Sequence, residues 1–195
     1  MGSKVGVFFC GVVMTLGLVW SAEGQSGGSF TDPRDGKTYR TVRIGNQTWM
    51  AENLNFQTGN SLCYGNDNSN CSKYGRLYDW NTAMRACPAG WRLPNDADWK
   101  SLIQAAGGKD VAGTKLKSGA SAWDGTDDFG FTALSGGYHD TDDGSFNNVG
   151  SNGVWWSATE SSATRAWGRD MGSGDDFVGE NNNVKDYGFS VRCVR

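Results

Sequence analysis

The stretch nearest to metal chemistry is Asp140-x-Asp142-Asp143-Gly144, where clustered carboxylates on a turn offer the hard oxygen ligands that calcium takes. The pattern departs from an EF-hand loop, because Gly144 stands where a fifth-position ligand belongs. Asp140, Asp142 and Asp143 are therefore weak calcium candidates beside the plainer reading of a solvated acidic turn, and no other cofactor is implied. Nucleophilic chemistry has less to work with. His139 is the single histidine, and an isolated surface imidazole is more often solvated than catalytic. Cys63, Cys71, Cys87 and Cys193 show no C-x-x-C spacing of the kind that holds zinc.

The chain has five cysteines; Cys10 lies in an N-terminal apolar run that reads as a cleaved signal, and the even number left in a secreted chain reads as disulfides. Three pairings are possible, and Cys63–Cys71 with Cys87–Cys193 is favoured. The first closes the small polar loop YGNDNSN. The second ties the end of a mid-chain helix to the last strand, and constrains the unfolded chain by about 4–5 kcal/mol in the chain-entropy model. Bridged sulfurs leave no activated nucleophile, so the chain is expected not to be an enzyme.

Tryptophan is the residue used most unusually, with nine in the chain. Flat rings stack on the apolar faces of sugars, while Asn, Asp and Arg take the hydroxyls. Trp49, Trp80, Trp91 and Trp99 lie inside expected elements and read as core fillers. Trp155 and Trp156 are consecutive on an expected strand, so one ring faces away from the other. Trp156 is thus a candidate for exposure, and Trp123, Trp167 and Tyr138, beside Gly/Asp loops, join it as candidate ligand-binding residues.

The elements that position these residues follow from composition and pattern. The chain has 29 glycines and only 20% charged residues, which favours short strands and loops over a helical bundle. A net charge of -3 with no basic stripe argues against nucleic acid as a partner. Lys4, the apolar run Val5 to Trp20 and the small residues Ala22 and Gly24 read as a signal peptide over 1–24, short for a membrane span, with an uncleaved N-terminal anchor as the alternative. The protein is then secreted or at the cell surface, with no stable membrane span after signal removal. Residues 25–29 read as a linker, and 30–195 as one domain.

Within that domain, 37–44 and 47–51 form a hairpin about Gly45-Asn46. Asp79 to Ala86 reads as a short helix. Asn95 with Asp98 three residues on is a capping-box signal for a second, whose buried face carries Trp99, Leu102 and Ile103. No further helix is expected. Residues 57–76, 110–130, 139–153, 172–176 and 179–186 read as loops. Strands are expected over 129–134, 154–157, 166–171 and 189–194. The fold class is α+β: an N-terminal hairpin, two short helices, then a loop-rich antiparallel sheet with two disulfides.

Five stretches together are distinctive: DGKTYRTVRIGNQTWMAENLNF, YGRLYDWNTAMRACPAGWRLPNDADWKSL, FGFTALSGGY, NGVWWSATE and YGFSVRCVR. They resemble the Fibrobacter succinogenes major paralogous domain (FISUMP) over residues 30–195. Trp91-Arg92-Leu93-Pro94 with Asp96, Asp98 and Trp99 is similar, more distantly, to the formylglycine-generating branch of the C-type-lectin-like fold. That resemblance implies a C-type-lectin-like domain, and Cys87–Cys193 is similar to the long-range disulfide of such domains. The branch's late cysteine pair is missing, since only Cys193 lies late, which argues against its chemistry. The lectin calcium motifs are absent too; Glu52-Asn53 and Glu180-Asn181-Asn182-Asn183 are the nearest fragments. A family named after a fibre-degrading bacterium implies binding or adhesion to polysaccharide such as plant cell-wall glycan. A structural or protein-interaction module with a cell-envelope protein as partner is the alternative, because fold alone does not assign function.

Overall fold

The computed structural model describes residues 1–2, 27–119 and 123–195; the segment read as a signal peptide lies almost wholly outside the described residues. Strands β1 (Gly28–Thr31), β2 (Thr38–Ile44) and β3 (Gln47–Met50) form an antiparallel sheet in sequence order. β1 begins inside the stretch read as a linker, because Gly28 and Ser29 pair with Thr41 and Arg40. The expected hairpin is there, with Val42 opposite Trp49.

The chain then enters a second, eight-stranded sheet through β4 (Ser61–Leu62) and β5 (Leu77–Tyr78). Between them lies helix α1 (Asn68–Tyr74), in a segment expected to be loop. Its Asn- and Ser-rich sequence has poor helix propensity. What holds it is tertiary: Asp67 caps it by accepting from the Ser69 N–H, and Cys71 is bonded to Cys63. Helix α2 (Trp80–Ala86) follows as expected, with Asp79 accepting from the Thr82 N–H.

Helix α3 (Asp96–Ala105) carries the expected capping box, Asn95 and Asp98 each accepting from the other's backbone N–H. Burial opposes ionisation of Asp98, but the Arg92 guanidinium, the Asn95 N–H and the Gln47 amide outweigh it and hold its pKa below the usual carboxylate value. The stabilisation this gives is complete above the ordinary carboxylate pKa and is lost as pH falls through the lower folded value. The melting temperature should therefore drop as pH goes below ~4, and Asp98→Asn should flatten that drop when melts are compared across pH.

Helix α4 (Lys109–Leu116) falls in the stretch 110–130 expected to be loop. Gly113 weakens the local signal, since glycine inside a helix costs about 1 kcal/mol against alanine. Packing requires it. The Gly113 N–H donates to the Asp176 carbonyl, and a Cβ there would sit 2.4 Å from the Phe177 carbonyl oxygen. Four α-helices thus stand among the described residues, where two were expected.

The remaining strands are β6 (Gly136–His139), β7 (Phe146–Val149), β8 (Asn152–Glu160), β9 (Arg165–Gly172), β10 (Gly179–Val184) and β11 (Phe189–Ser190). Their path is β10-β9-β8-β11-β5-β4, with β6 and β7 branching from β8. β7 and β10 lie where loops were expected. The stretch 129–134 is not a strand and contributes one bridge, Ala133 with Lys117. The C-terminus closes the structure: Thr48 and Arg195 exchange backbone hydrogen bonds, and Arg92 exchanges them with Val194. Both disulfides are the favoured pairs, Cys63–Cys71 and Cys87–Cys193. The architecture is α+β.

Both faces of β8 are covered, and this decides where the rings go. On one face Trp155 joins Trp49, Trp99 and Phe131 under α3 and α4. On the other Trp156 joins Tyr78, Trp80 and Phe189 under α2. Arg192 lies between the two sheets, fully buried, and donates to Asn53 Oδ1 and to the carbonyls of Met50, Phe131 and Thr132.

Candidate functional site

Strand alternation puts Asn152, Val154 and Trp156 of β8 on one face with Gly168 and Asp170 of β9. The next pairing adds Gly179, Asn181 and Asn183 of β10 to that face. Towards α2 the face is closed over Trp156. Away from it, the face opens into a cleft of about 240 Å³.

The cleft has an aromatic side and a polar side. His139 and Gly188 exchange backbone hydrogen bonds, which brings Tyr138 beside Tyr187 and Phe189. Tyr138 and Phe189 meet edge to face at 6.1 Å, and Tyr187 lies 6.2 Å from Phe189. Phe189 is backed in turn by Trp156, with ring centroids 4.2 Å apart. Opposite stand Asn148, Asn152, Asp170, Asn181 and Asn183. The Asn181 amide donates to Asp170 Oδ1 at 2.6 Å, which fixes both side chains. The Asp170 carboxylate leans over Gly179, where a Cβ would come within 2.3 Å of it and displace it. Burial is the main reason its pKa is raised. Asn152 Oδ1, in the wall, is buried without a hydrogen-bond partner, a state that costs about 1–3 kcal/mol until a donor arrives. Such rings can stack on apolar ligand surface, and the fixed amide and carboxylate groups can exchange hydrogen bonds with its polar groups. A larger hollow of about 630 Å³ between the β2–β3 turn and α3 has no aromatic lining.

Of the residues singled out by sequence, Tyr138 lines the cleft. Trp156 and Trp123 are corrected: both are buried, at 0% and 1% exposure. Trp156 donates to the Tyr78 carbonyl and Trp123 to the Ala133 carbonyl, so each ring has its polar partner inside the core. Neither is available for stacking. The expectation that one of Trp155 and Trp156 is exposed fails because the sheet is covered on both sides. Trp167 is half-buried and, one residue from Gly168, on the far face of β9.

The acidic turn also takes a different role. Asp140 and Asp143 accept from backbone N–H groups of their own turn. Asp142 accepts from the Tyr187 hydroxyl at 2.8 Å, which pushes the phenol up to about 12 and braces the ring at the cleft. No group of three metal-ligating side chains occurs among the described residues. Sequence reading missed Asp170, and it met Asn181 and Asn183 only within the fragment nearest a lectin calcium motif. The signal was the strand alternation within Glu180-Asn181-Asn182-Asn183, a run read as loop.

A family model described as the Fibrobacter succinogenes major domain matches residues 42–195, which takes in the cleft and both disulfides. The chain belongs to this family. No curated protein and no solved structure matches it. The Fibrobacter succinogenes major domain here therefore takes in the large sheet, the four α-helices of the described residues and the C-terminal segment, while β1 and the start of β2 lie before the matched region. Among its described residues no helix is long and apolar enough to cross a membrane.

Proposed function

We propose that the chain is a secreted or cell-surface, non-catalytic binding domain of C-type-lectin-like type, and that it recognises polysaccharide through the cleft over β8, β9 and β10. The observation that carries this is the pairing of Tyr138, Tyr187 and Phe189 with the fixed Asp170–Asn181 pair across one small cleft. The C-type-lectin-like assignment is supported by the backbone pairing of the C-terminal segment with β3 and by the long-range Cys87–Cys193 bond. Two disulfides accord with an extracellular setting. The non-catalytic reading is supported by the lining, which holds a single carboxylate where glycoside hydrolysis commonly uses two. All four cysteines among the described residues are bridged.

Depletion of the purified protein on insoluble cellulose, xylan and mannan tests this, with albumin as control. Retention on at least one is expected. Asn181→Ala with Asn183→Ala should weaken it about tenfold or more, the effect of losing ~1.4 kcal/mol of polar contacts, while the melting temperature stays put. Retention on none, by a protein that melts cooperatively, would reject the polysaccharide and point to an envelope protein as partner.

A further inference from the structure

We infer that the cleft holds one uncharged sugar ring and discriminates against the corresponding acidic sugar, an inference that rests on the polysaccharide reading above. Size and shape support a single ring. At about 240 Å³ the cleft is smaller than sites that engulf drug-sized ligands, roughly 300–1,000 Å³. Its aromatic side is a corner, not a strip. Tyr138 stands at 90° to Phe189 and Tyr187 at 69° to it, so no flat row of rings exists for a chain to lie along. The remainder of a polysaccharide would pass outside.

Charge supports the discrimination. Asp170 is the one charged group in the lining, and no lysine, arginine or histidine joins it. Asp175, in the β9–β10 turn, adds to the negative potential at Asp170, which Arg169 on the opposite face offsets in part. The neighbouring cations are turned away. Arg169 projects to the opposite face of β9, where it meets Asp96 at 3.1 Å and Glu180 at 3.2 Å. Lys185 is held by Glu160 at 2.8 Å and lies over Trp80. Arg165 donates to Asn182, which faces away from the cleft. A sugar hydroxyl can donate to the Asp170 carboxylate in a charge-assisted hydrogen bond. A sugar carboxylate in its place meets a like charge in a partly desolvated site with no cation in its lining.

Matched pairs of methyl glycosides, glucoside against glucuronide and galactoside against galacturonide, isolate the charge because each pair differs only at C6. Calorimetric titration of the purified protein at neutral pH should show the preferred neutral member binding at least tenfold more tightly than its acid. Asp170→Asn should shrink that ratio to threefold or less by admitting the acid. Asn183→Asp, which adds a second carboxylate, should widen it. Equal or tighter binding of the acids by the native protein, or a ratio unmoved by Asp170→Asn in a variant of unchanged melting temperature, overturns the selectivity and leaves the polysaccharide reading standing. Binding of no sugar of either kind, in the glycosides or on the insoluble polysaccharides, overturns both.

Discussion

Asn53→Ala should destabilise the fold by about 3 kcal/mol or more, since it leaves two buried donor groups, one of them charged, without their acceptor. Asn53 Oδ1 accepts from Arg192 Nε at 3.1 Å, from Arg192 Nη2 at 2.8 Å and from Trp155 Nε1 at 2.9 Å. Its amide nitrogen donates to the Tyr74 carbonyl and to Ser190 Oγ. One small side chain thus joins α1, β8, β11 and the C-terminal segment. Burial pushes the Arg192 guanidinium down to about 9, with Glu52 and Asp127 opposing from a distance, so it is still charged at neutral pH. What solvates that charge is Asn53 and three backbone carbonyls. Arg192→Lys should be damaging as well, because an ammonium cannot reproduce the fork of donors. Denaturant unfolding measures both variants, and a loss below 1 kcal/mol for Asn53→Ala would show that the site collapses around the missing amide.

The second large effect concerns the bond between Cys87 and Cys193. It spans 106 residues, against 8 for Cys63–Cys71. In the chain-entropy model the long closure stabilises by about 5 kcal/mol and the short one by about 2.5 kcal/mol. Position adds to the difference. The Cys193 carbonyl accepts from the Met50 N–H, so the bonded residue is also part of the seam between the two sheets. Cys87→Ser with Cys193→Ser should therefore lower the melting temperature far more than Cys63→Ser with Cys71→Ser. Thermal melts of the two double variants decide it, and the reverse order would contradict the account.

What the sequence made legible was local. The hairpin at Gly45-Asn46, the capping box of Asn95 and Asp98, and α2 follow from turn and cap chemistry between neighbours in the chain. The disulfide pairs were legible as the favoured of three. The fates of Trp123 and Trp156 were not, because exposure depends on what covers a sheet from elsewhere in the chain. The consecutive pair Trp155-Trp156 gives period-2 alternation, but not the fact that each face meets its own core. Helices α1 and α4 were hidden by poor propensity and by Gly113, both overridden by tertiary contacts. The cleft was hidden for the same reason. Asp170 reads as one acid among many until β10 lays Gly179 and Asn181 against it.

The central claim is the location of ligand binding, and amide chemical-shift mapping tests it most directly. A soluble oligosaccharide of the retained polysaccharide would be added to isotope-labelled protein. The account predicts shifts concentrated at Tyr138, Asn148, Gly168, Asp170, Asn181 and Tyr187, with little change at Arg43, Asn46 or Gln47 about the β2–β3 turn. Shifts centred on α3 and the β2–β3 turn, or spread evenly with none at β9 and β10, would contradict it.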